Sequence, residues 1–117
     1  MLPITRFSGM APGRSRAVRM GKLIYTVAVA DTHEKDMHRQ TQETLAKIER
    51  HLKEAGSDKT RLLSAMVYIC DMALKPQMNA AWDAWVDMDN PPQRACIGAT
   101  LEDPHMVEIV AVAAAAD

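Results

Sequence analysis

The run Leu62-Leu63-Ser64-Ala65-Met66-Val67-Tyr68-Ile69-Cys70 decides the architecture. It is nearly all apolar and follows a polar connection at Ser57-Asp58-Lys59-Thr60, so it reads as a central strand covered on both faces. On its N-terminal side, Met37, Thr41, Leu45, Ile48, Leu52 and Ala55 recur at spacings of three and four. That pattern predicts an amphipathic helix from about Asp36 to Ala55, ended by Gly56. Asp31-Thr32-His33-Glu34 resembles a capping box slightly upstream, which leaves the helix start open by about one turn. Further back, Ser15 to Met20 and Leu23 to Ala30 read as two strands of a hairpin joined at Gly21-Lys22. The opening, with Pro3, Gly9 and Pro12, reads as irregular. Beyond the central strand, Pro76 opens a second helix running to about Met88. Met78, Ala81, Trp82, Trp85 and Val86 lie on one side of it, and Asp83 and Asp87 on the other. Asn90-Pro91-Pro92 stops it. Two short strands follow, Arg94 to Ala99 and Met106 to Ala114, separated by a loop at Leu101-Glu102-Asp103-Pro104. The order strand, strand, helix, strand, helix, strand, strand predicts an α+β layer, one mixed sheet with two helices on a single face. The other face is apolar too, and self-association is the simplest way to cover it.

The 117 residues carry 14 Lys and Arg against 15 Asp and Glu, with 48% hydrophobic residues, as expected of one globular domain spanning residues 1–117. A chain of this size buries roughly two-thirds of its unfolded surface, enough for one core. A functional site is therefore expected at a cleft or a subunit boundary. Charged residues such as Lys22 and Asp31 interrupt every apolar run well short of the ~20 residues a membrane span needs, so no membrane partner is expected. Cys70 and Cys96 sit in apolar runs without metal-site or redox spacing. They read as buried thiols of a reducing compartment, which points to a cytoplasmic protein. Nine Met and five aromatic residues imply a core of aliphatic and thioether side chains, with Trp82 and Trp85 as its only large rings.

Charge is unevenly placed. Residues 1–30 contain Arg6, Arg14, Arg16, Arg19 and Lys22 and no acid, a segment of +5 against −6 for the rest. An organelle transit peptide would need an amphipathic helix here, and Pro3, Gly9, Pro12 and Gly13 break it. Nucleic acid is not the expected partner either, since the net charge is −1 and no aromatic residue alternates with the arginines to stack bases. A strand hairpin whose arginines are solvated or at an interface accounts for them.

Several chemistries are excluded. His33 and His38 are five apart, ~140° around a helix, and cannot share a metal. No metal site is expected. Gly9, Gly13 and Gly21 fit neither common phosphate loop. No GxSxG occurs, and Ser15, Ser57 and Ser64 have no local activating context. Cys96 lacks an adjacent His or helix N-terminus that would make its thiol nucleophilic.

What remains is Pro91-Pro92-Gln93-Arg94-Ala95-Cys96-Ile97-Gly98, an arginine at the entry of an apolar strand, and Glu108 embedded in Met106-Val107-Glu108-Ile109-Val110. A guanidinium in such surroundings needs an anion, and its fork fits a carboxylate. The anion could be a ligand, or Arg94 and Glu108 could pair as a structural salt bridge.

The run Pro92 to Ile97, the late Val107-Glu108-Ile109-Val110-Ala111, the early Ala17-Val18 with Gly21-Lys22-Leu23-Ile24-Tyr25-Thr26, and the middle Asn79-Ala80-Ala81-Trp82-Asp83-Ala84-Trp85 resemble the Rid family (YjgF/RidA-like) of enamine/imine deaminases. The helix Thr41 to Glu49 and the strand Leu62 to Asp71 match as well, and the Trp82/Trp85 pair looks closest to the YoaB-like branch. The resemblance implies a chorismate-mutase-like/YjgF-like fold, packed as a homotrimer around a central barrel with clefts between neighbouring subunits. It implies hydrolysis of reactive 2-imino or enamine acids, such as 2-aminoacrylate, to 2-oxo acids and ammonia, with no cofactor. Arg94 would bind the substrate carboxylate, Glu108 would place the attacking water, and Cys96 would contribute through its backbone. Asn79 matches a helix residue near the cleft, although an Asn bonded to a loop fits equally well.

This chain departs from the pattern at three places, one of them the loop between Cys96 and Glu108, which is one residue shorter. Arg14 stands where much of the family has an aromatic residue, and Val27 replaces a small hydroxyl residue that contacts ligand. Arg14 and Arg16 would lie on one face of a strand. If both reach the cleft, they would favour a larger acid with a second carboxylate. The same changes favour an alternative, a non-catalytic protein that binds small carboxylic acids in the same cleft.

Overall fold

A computed structural model describes residues 1–117. The elements are β1 (Ile4–Ser8), β2 (Ser15–Met20), β3 (Leu23–Val29), α1 (Met37–Ala55), β4 (Leu62–Ile69), α2 (Lys75–Trp85), β5 (Gln93–Gly98) and β6 (Val107–Ala114). They build one six-stranded sheet in the order β1-β2-β3-β6-β4-β5. Only β4 and β5 run parallel, joined by the crossover that contains α2, and every other pair is antiparallel. The sheet is mixed, as expected, and both helices cover one face.

The first helix follows its sequence pattern closely. The Asp36 side chain accepts from the Arg39 N–H at 3.0 Å, so the helix starts there and not at the box around Asp31. Gly56, at φ 96°, closes it in the left-handed conformation. The stripe Met37, Leu45, Ile48, Leu52 packs onto Ile24, Val67, Ile69, Val107 and Ile109 of the sheet to form the core. Gln40 sits on the same stripe, fully buried. Its amide donates to the carbonyls of Glu34 (2.9 Å) and Pro104 (3.0 Å) and accepts from the Met106 N–H (2.8 Å). One side chain thus ties α1 to the segment that leads into β6.

Three expectations need correction. The opening residues are not irregular throughout, because Ile4–Ser8 adds an edge strand on β2. The second helix ends at Trp85 instead of Met88. Val86 is already extended, and the Asp87 carboxylate accepts from the Asp89 N–H (3.0 Å) and the Asn90 amide (2.9 Å), a local turn that competes with helix. The cysteines are not buried thiols: Cys70 is exposed where the chain leaves β4, and Cys96 is half-buried on edge strand β5. Both are free thiols. The two Trp rings lie 5.9 Å apart; Trp82 is in the core, while Trp85 is half-buried and donates to Glu49 at 3.0 Å.

Within one chain, nothing covers the face away from the helices. Tyr25, Val27, Met66, Tyr68, Val110 and Val112 form its centre by register, in the rows Tyr25–Val112–Ser64 and Val27–Val110–Met66. Tyr25 is 47% exposed and Val110 38%. Within one chain the central strand β4 is therefore covered on one side only, and its other side belongs to the apolar face for which self-association was expected. No helix of the protein is long and apolar enough to cross a membrane.

Candidate functional site

Register decides how the two candidate charges relate. Arg94 pairs with Ala65, and Ala65 with Ala111, both on the helix-covered face. Glu108 pairs with Tyr68 on one side and Val29 on the other, in the uncovered rows. Side chains alternate between faces along a strand, so Arg94 and Glu108 belong to opposite faces of the same sheet. They form no ion pair. The structural salt bridge left open by the sequence is excluded within the chain.

Arg94 is half-buried at the edge between β5 and α2. Its guanidinium lies 5.3 Å from the centroid of the Trp82 ring and 4.0 Å from the Met78 sulfur. The ring attracts the cation without using its N–H donors, and apart from one N–H directed at the weakly accepting Met78 sulfur those donors have no partner in the chain and remain available to an anion. Asn79 follows Met78 on the same helix; its Oδ1 is buried and accepts no hydrogen bond, so the Asn-to-loop bond is not made through that oxygen. Cys96, two residues on from Arg94, shares its face and packs against the core.

Glu108 lines a groove of about 710 Å³ on the other side of the molecule, together with Arg14 and Val27. Its carboxylate makes no hydrogen bond or ion pair and is half-buried. The clamp by Gln40 fixes the entry to β6 two residues earlier, at Met106, and so holds Glu108 in place. Three of the six expected site residues therefore meet in this groove, and Arg94, Cys96 and Asn79 do not.

The groove also contains residues the sequence did not single out. His51 is buried, and its Nδ1 lies 2.9 Å from the Thr26 hydroxyl, which donates to the Arg16 carbonyl at 2.8 Å. With that hydroxyl proton spent, the proton between Thr26 and His51 is assigned to Nδ1, leaving Nε2 as the free acceptor. Burial first, and then the cations Arg16, Arg50 and Lys47, lower the His51 pKa, while Glu54 opposes them. Lys47 donates to the Val29 carbonyl (2.9 Å) and to Asp31 (2.6 Å), which holds that carboxyl below its usual range. The helical spacing of Lys47, Arg50, His51 and Glu54 was visible, but which strand end they would border was not.

Arg14 and Arg16 do not present one charged face. Register slips between Phe7 and Ser8, so that Ser8 faces Ser15 and Arg16 is the extra residue of a bulge. The bulge turns Arg16 toward α1, where it pairs with Glu54 at 2.5 Å, donates to the Ser8 carbonyl and lies 5.8 Å from the Phe7 ring centroid. Arg14 lies just before the strand, exposed and unpaired.

Comparison with known proteins agrees with this architecture. The family model described as Endoribonuclease L-PSP matches residues 8–115. A RutC family protein of Haemophilus ducreyi is 41% identical over 99 residues, 84% of this chain and 85% of that protein. The RutC family protein YoaB of Escherichia coli is 35% identical over 114 residues, 97% of this chain and 99% of its own length. Among solved structures, a YjgF-family protein of Neisseria meningitidis superposes with a TM-score of 0.93 at 38% identity, covering 98% of this chain and 97% of the other. With the match running from the last residue of β1 to just past the end of β6, this chain belongs to the Endoribonuclease L-PSP family, the YjgF/RutC proteins.

Proposed function

We propose that the protein hydrolyses reactive 2-imino acids and their enamine tautomers, such as 2-aminoacrylate, to 2-oxo acids and ammonia, in clefts between copies of the chain. The observation that carries this reading is the placement of two unpaired, half-buried, opposite charges on opposite faces of one sheet. Neither charge is satisfied within its own chain. A neighbour that brings its Arg94 edge against the Glu108 groove would bring both to a single ligand, and the uncovered apolar face supplies the area for that association. A homotrimer closed around this face is the assembly proposed.

The chemistry needs few groups, because an imine carbon is already electrophilic. Arg94 takes the substrate carboxylate with its free N–H edge and fixes the C=N bond in position, which is the main contribution. The Glu108 carboxylate accepts a proton from a water and directs its oxygen to the imine carbon. A C–O bond forms as the C=N π pair moves to nitrogen. Glu108 returns its proton to that nitrogen; the adduct's hydroxyl proton then passes through the carboxylate to the same nitrogen as the C–N bond breaks, so that ammonia leaves, the 2-oxo acid remains and Glu108 is again a carboxylate. The Cys96 backbone and Asn79 would border the carboxylate end, and Arg14 and Val27 the far end. The substrate is small and anionic; no cofactor, metal, nucleic acid or membrane enters the scheme, which suits a cytoplasmic protein. The family description names a ribonuclease, but of the five cations in the N-terminal segment Arg16, Arg19 and Lys22 are bonded within the chain, which leaves only Arg6 and Arg14 of that segment for a phosphate backbone.

The test is release of 2-oxo acid from imino acids generated in situ by an amino-acid oxidase. Wild-type protein should accelerate release above buffer, and Arg94→Ala and Glu108→Gln should each lower kcat/KM by about a hundredfold or more. One observation favours a second reading. Val27 gives the groove a methyl surface in place of the expected hydroxyl. A protein that binds small carboxylic acids without turning them over would show no acceleration with any imino acid, and that result would replace the deaminase reading.

A further inference from the structure

The five cations of the acid-free N-terminal segment meet different fates. Arg16 is held by Glu54, and Arg19 by Asp117 (2.7 Å) and the Ala55 carbonyl (2.9 Å). Lys22 reaches the Asp117 carbonyl. Arg6 and Arg14 alone have no hydrogen-bond or ion-pair partner. Both line a second concavity of about 480 Å³, formed by Arg6, Ser8 and the turn 9–15, and no Asp or Glu lines it.

The turn that shapes this cup is fixed. The Gly9 N–H donates to the Arg14 carbonyl at 3.2 Å, and a Cβ on Gly9 would stand 2.7 Å from that oxygen. Gly13 takes φ +80°, which disfavours any side chain there. Arg14 is thereby held at the junction of two hollows, since Ser8, Arg14 and Ser15 line both the cup and the groove that contains Glu108. Two exposed arginines lining one concavity that has no acid give it a positive potential, which favours entry of an anion. The planar fork of arginine favours a carboxylate.

We propose that Arg6 and Arg14 form a second carboxylate subsite beside the Glu108 groove, so that the substrates are imines of dicarboxylic amino acids. The inference rests on the deaminase reading. It differs from the sequence expectation in its residues, because the bulge assigns Arg16 to Glu54 and leaves Arg6 as the partner of Arg14. The 2-carboxylate goes to Arg94 of a neighbouring copy and the distal carboxylate to the cup.

The experiment compares imines generated in situ from aspartate or glutamate with those from alanine or leucine, using the full chain and its Arg6→Ala and Arg6→Lys variants. Wild type should prefer the dicarboxylic imines. Arg6→Ala should lower the ratio of the two kcat/KM values by about tenfold, and Arg6→Lys should restore part of it. Turnover of both classes at a ratio that Arg6→Ala leaves unchanged would overturn the subsite while the deaminase reading stands. Were neither class hydrolysed, the deaminase reading would fall. Calorimetric titration with 2-oxoglutarate and 2-oxobutyrate would then decide the subsite: tighter binding of the dicarboxylate, weakened in Arg6→Ala, supports it, and equal binding overturns it.

Discussion

The two faces of the sheet are made from the same strands and differ only by parity. On β6, Val107, Ile109, Ala111 and Ala113 point to the helices and are buried, while Glu108, Val110 and Val112 alternate with them toward the open side. Ile109 is 1% exposed and its neighbour Val110 38%. Adjacent residues of similar chemistry therefore answer to different demands, one to the folding of a single chain and the other to what lies beyond it. The same parity separates Arg94 from Glu108. A structural ion pair would have needed both on one face.

The largest effect expected from this contrast is on assembly. Val110→Asp puts a charge at the centre of the open face, where burial against another copy would strip it of water without a partner. Sedimentation should find single chains for the variant and the proposed trimer for wild type, with helix content retained in both. An unchanged mass would place the contact between copies elsewhere. One residue earlier, Ile109→Ala should instead destabilise the chain itself by about 2–5 kcal/mol, read from urea unfolding. Similar small losses at both positions would mean that the faces are not distinct.

Next in size is the polar clamp on the covered side. Gln40→Leu keeps the volume of the side chain and loses three hydrogen bonds, leaving the Met106 N–H and the Pro104 carbonyl without their partner. A cost of about 2–4 kcal/mol is expected, in the range for stranding buried polar groups. Because the clamp sets the entry to β6, imine hydrolysis should fall as well at temperatures where the variant is still folded. Full activity with the lowered stability would show that Glu108 is positioned by the ladder of β6 alone.

The sequence was legible where a local signal was enough. The α1 stripe, the Gly21 turn and the apolar runs of β4 and β6 were all of this kind, and the helix-plus-sheet order followed from them. β1 was missed because its five residues bury no side chain fully and only Phe7 in part, so no periodic signal arises. The Arg16 bulge was missed because it depends on the register with β1, a pairing absent from any local pattern. Gln40 could have been noticed as a polar residue on an apolar stripe, although its three partners lie far along the chain. The site was half legible for the same reason. Arg94 and Glu108 stood out as charges in apolar strands, but the face each takes depends on how β4, β5 and β6 pair.

The smallest effect concerns pH, and it tests whether the groove end of α1 is desolvated. His51 is buried, and burial together with Arg16, Arg50 and Lys47 lowers its pKa from the ordinary 6.5, against the opposing pull of Glu54. The unfolded chain therefore takes up this proton at a higher pH than the folded one. Stability from His51 is complete above about pH 6.5 and is lost as pH falls below that value toward the folded pKa. His51→Leu removes the titration and strands nothing, because the Thr26 hydroxyl keeps its bond to the Arg16 carbonyl. Between pH 7.5 and 5.5 the urea midpoint of wild type should fall further than that of the variant, with the other histidines contributing equally to both. Parallel curves would mean that water reaches His51 and that the groove is open down to the Thr26 hydroxyl.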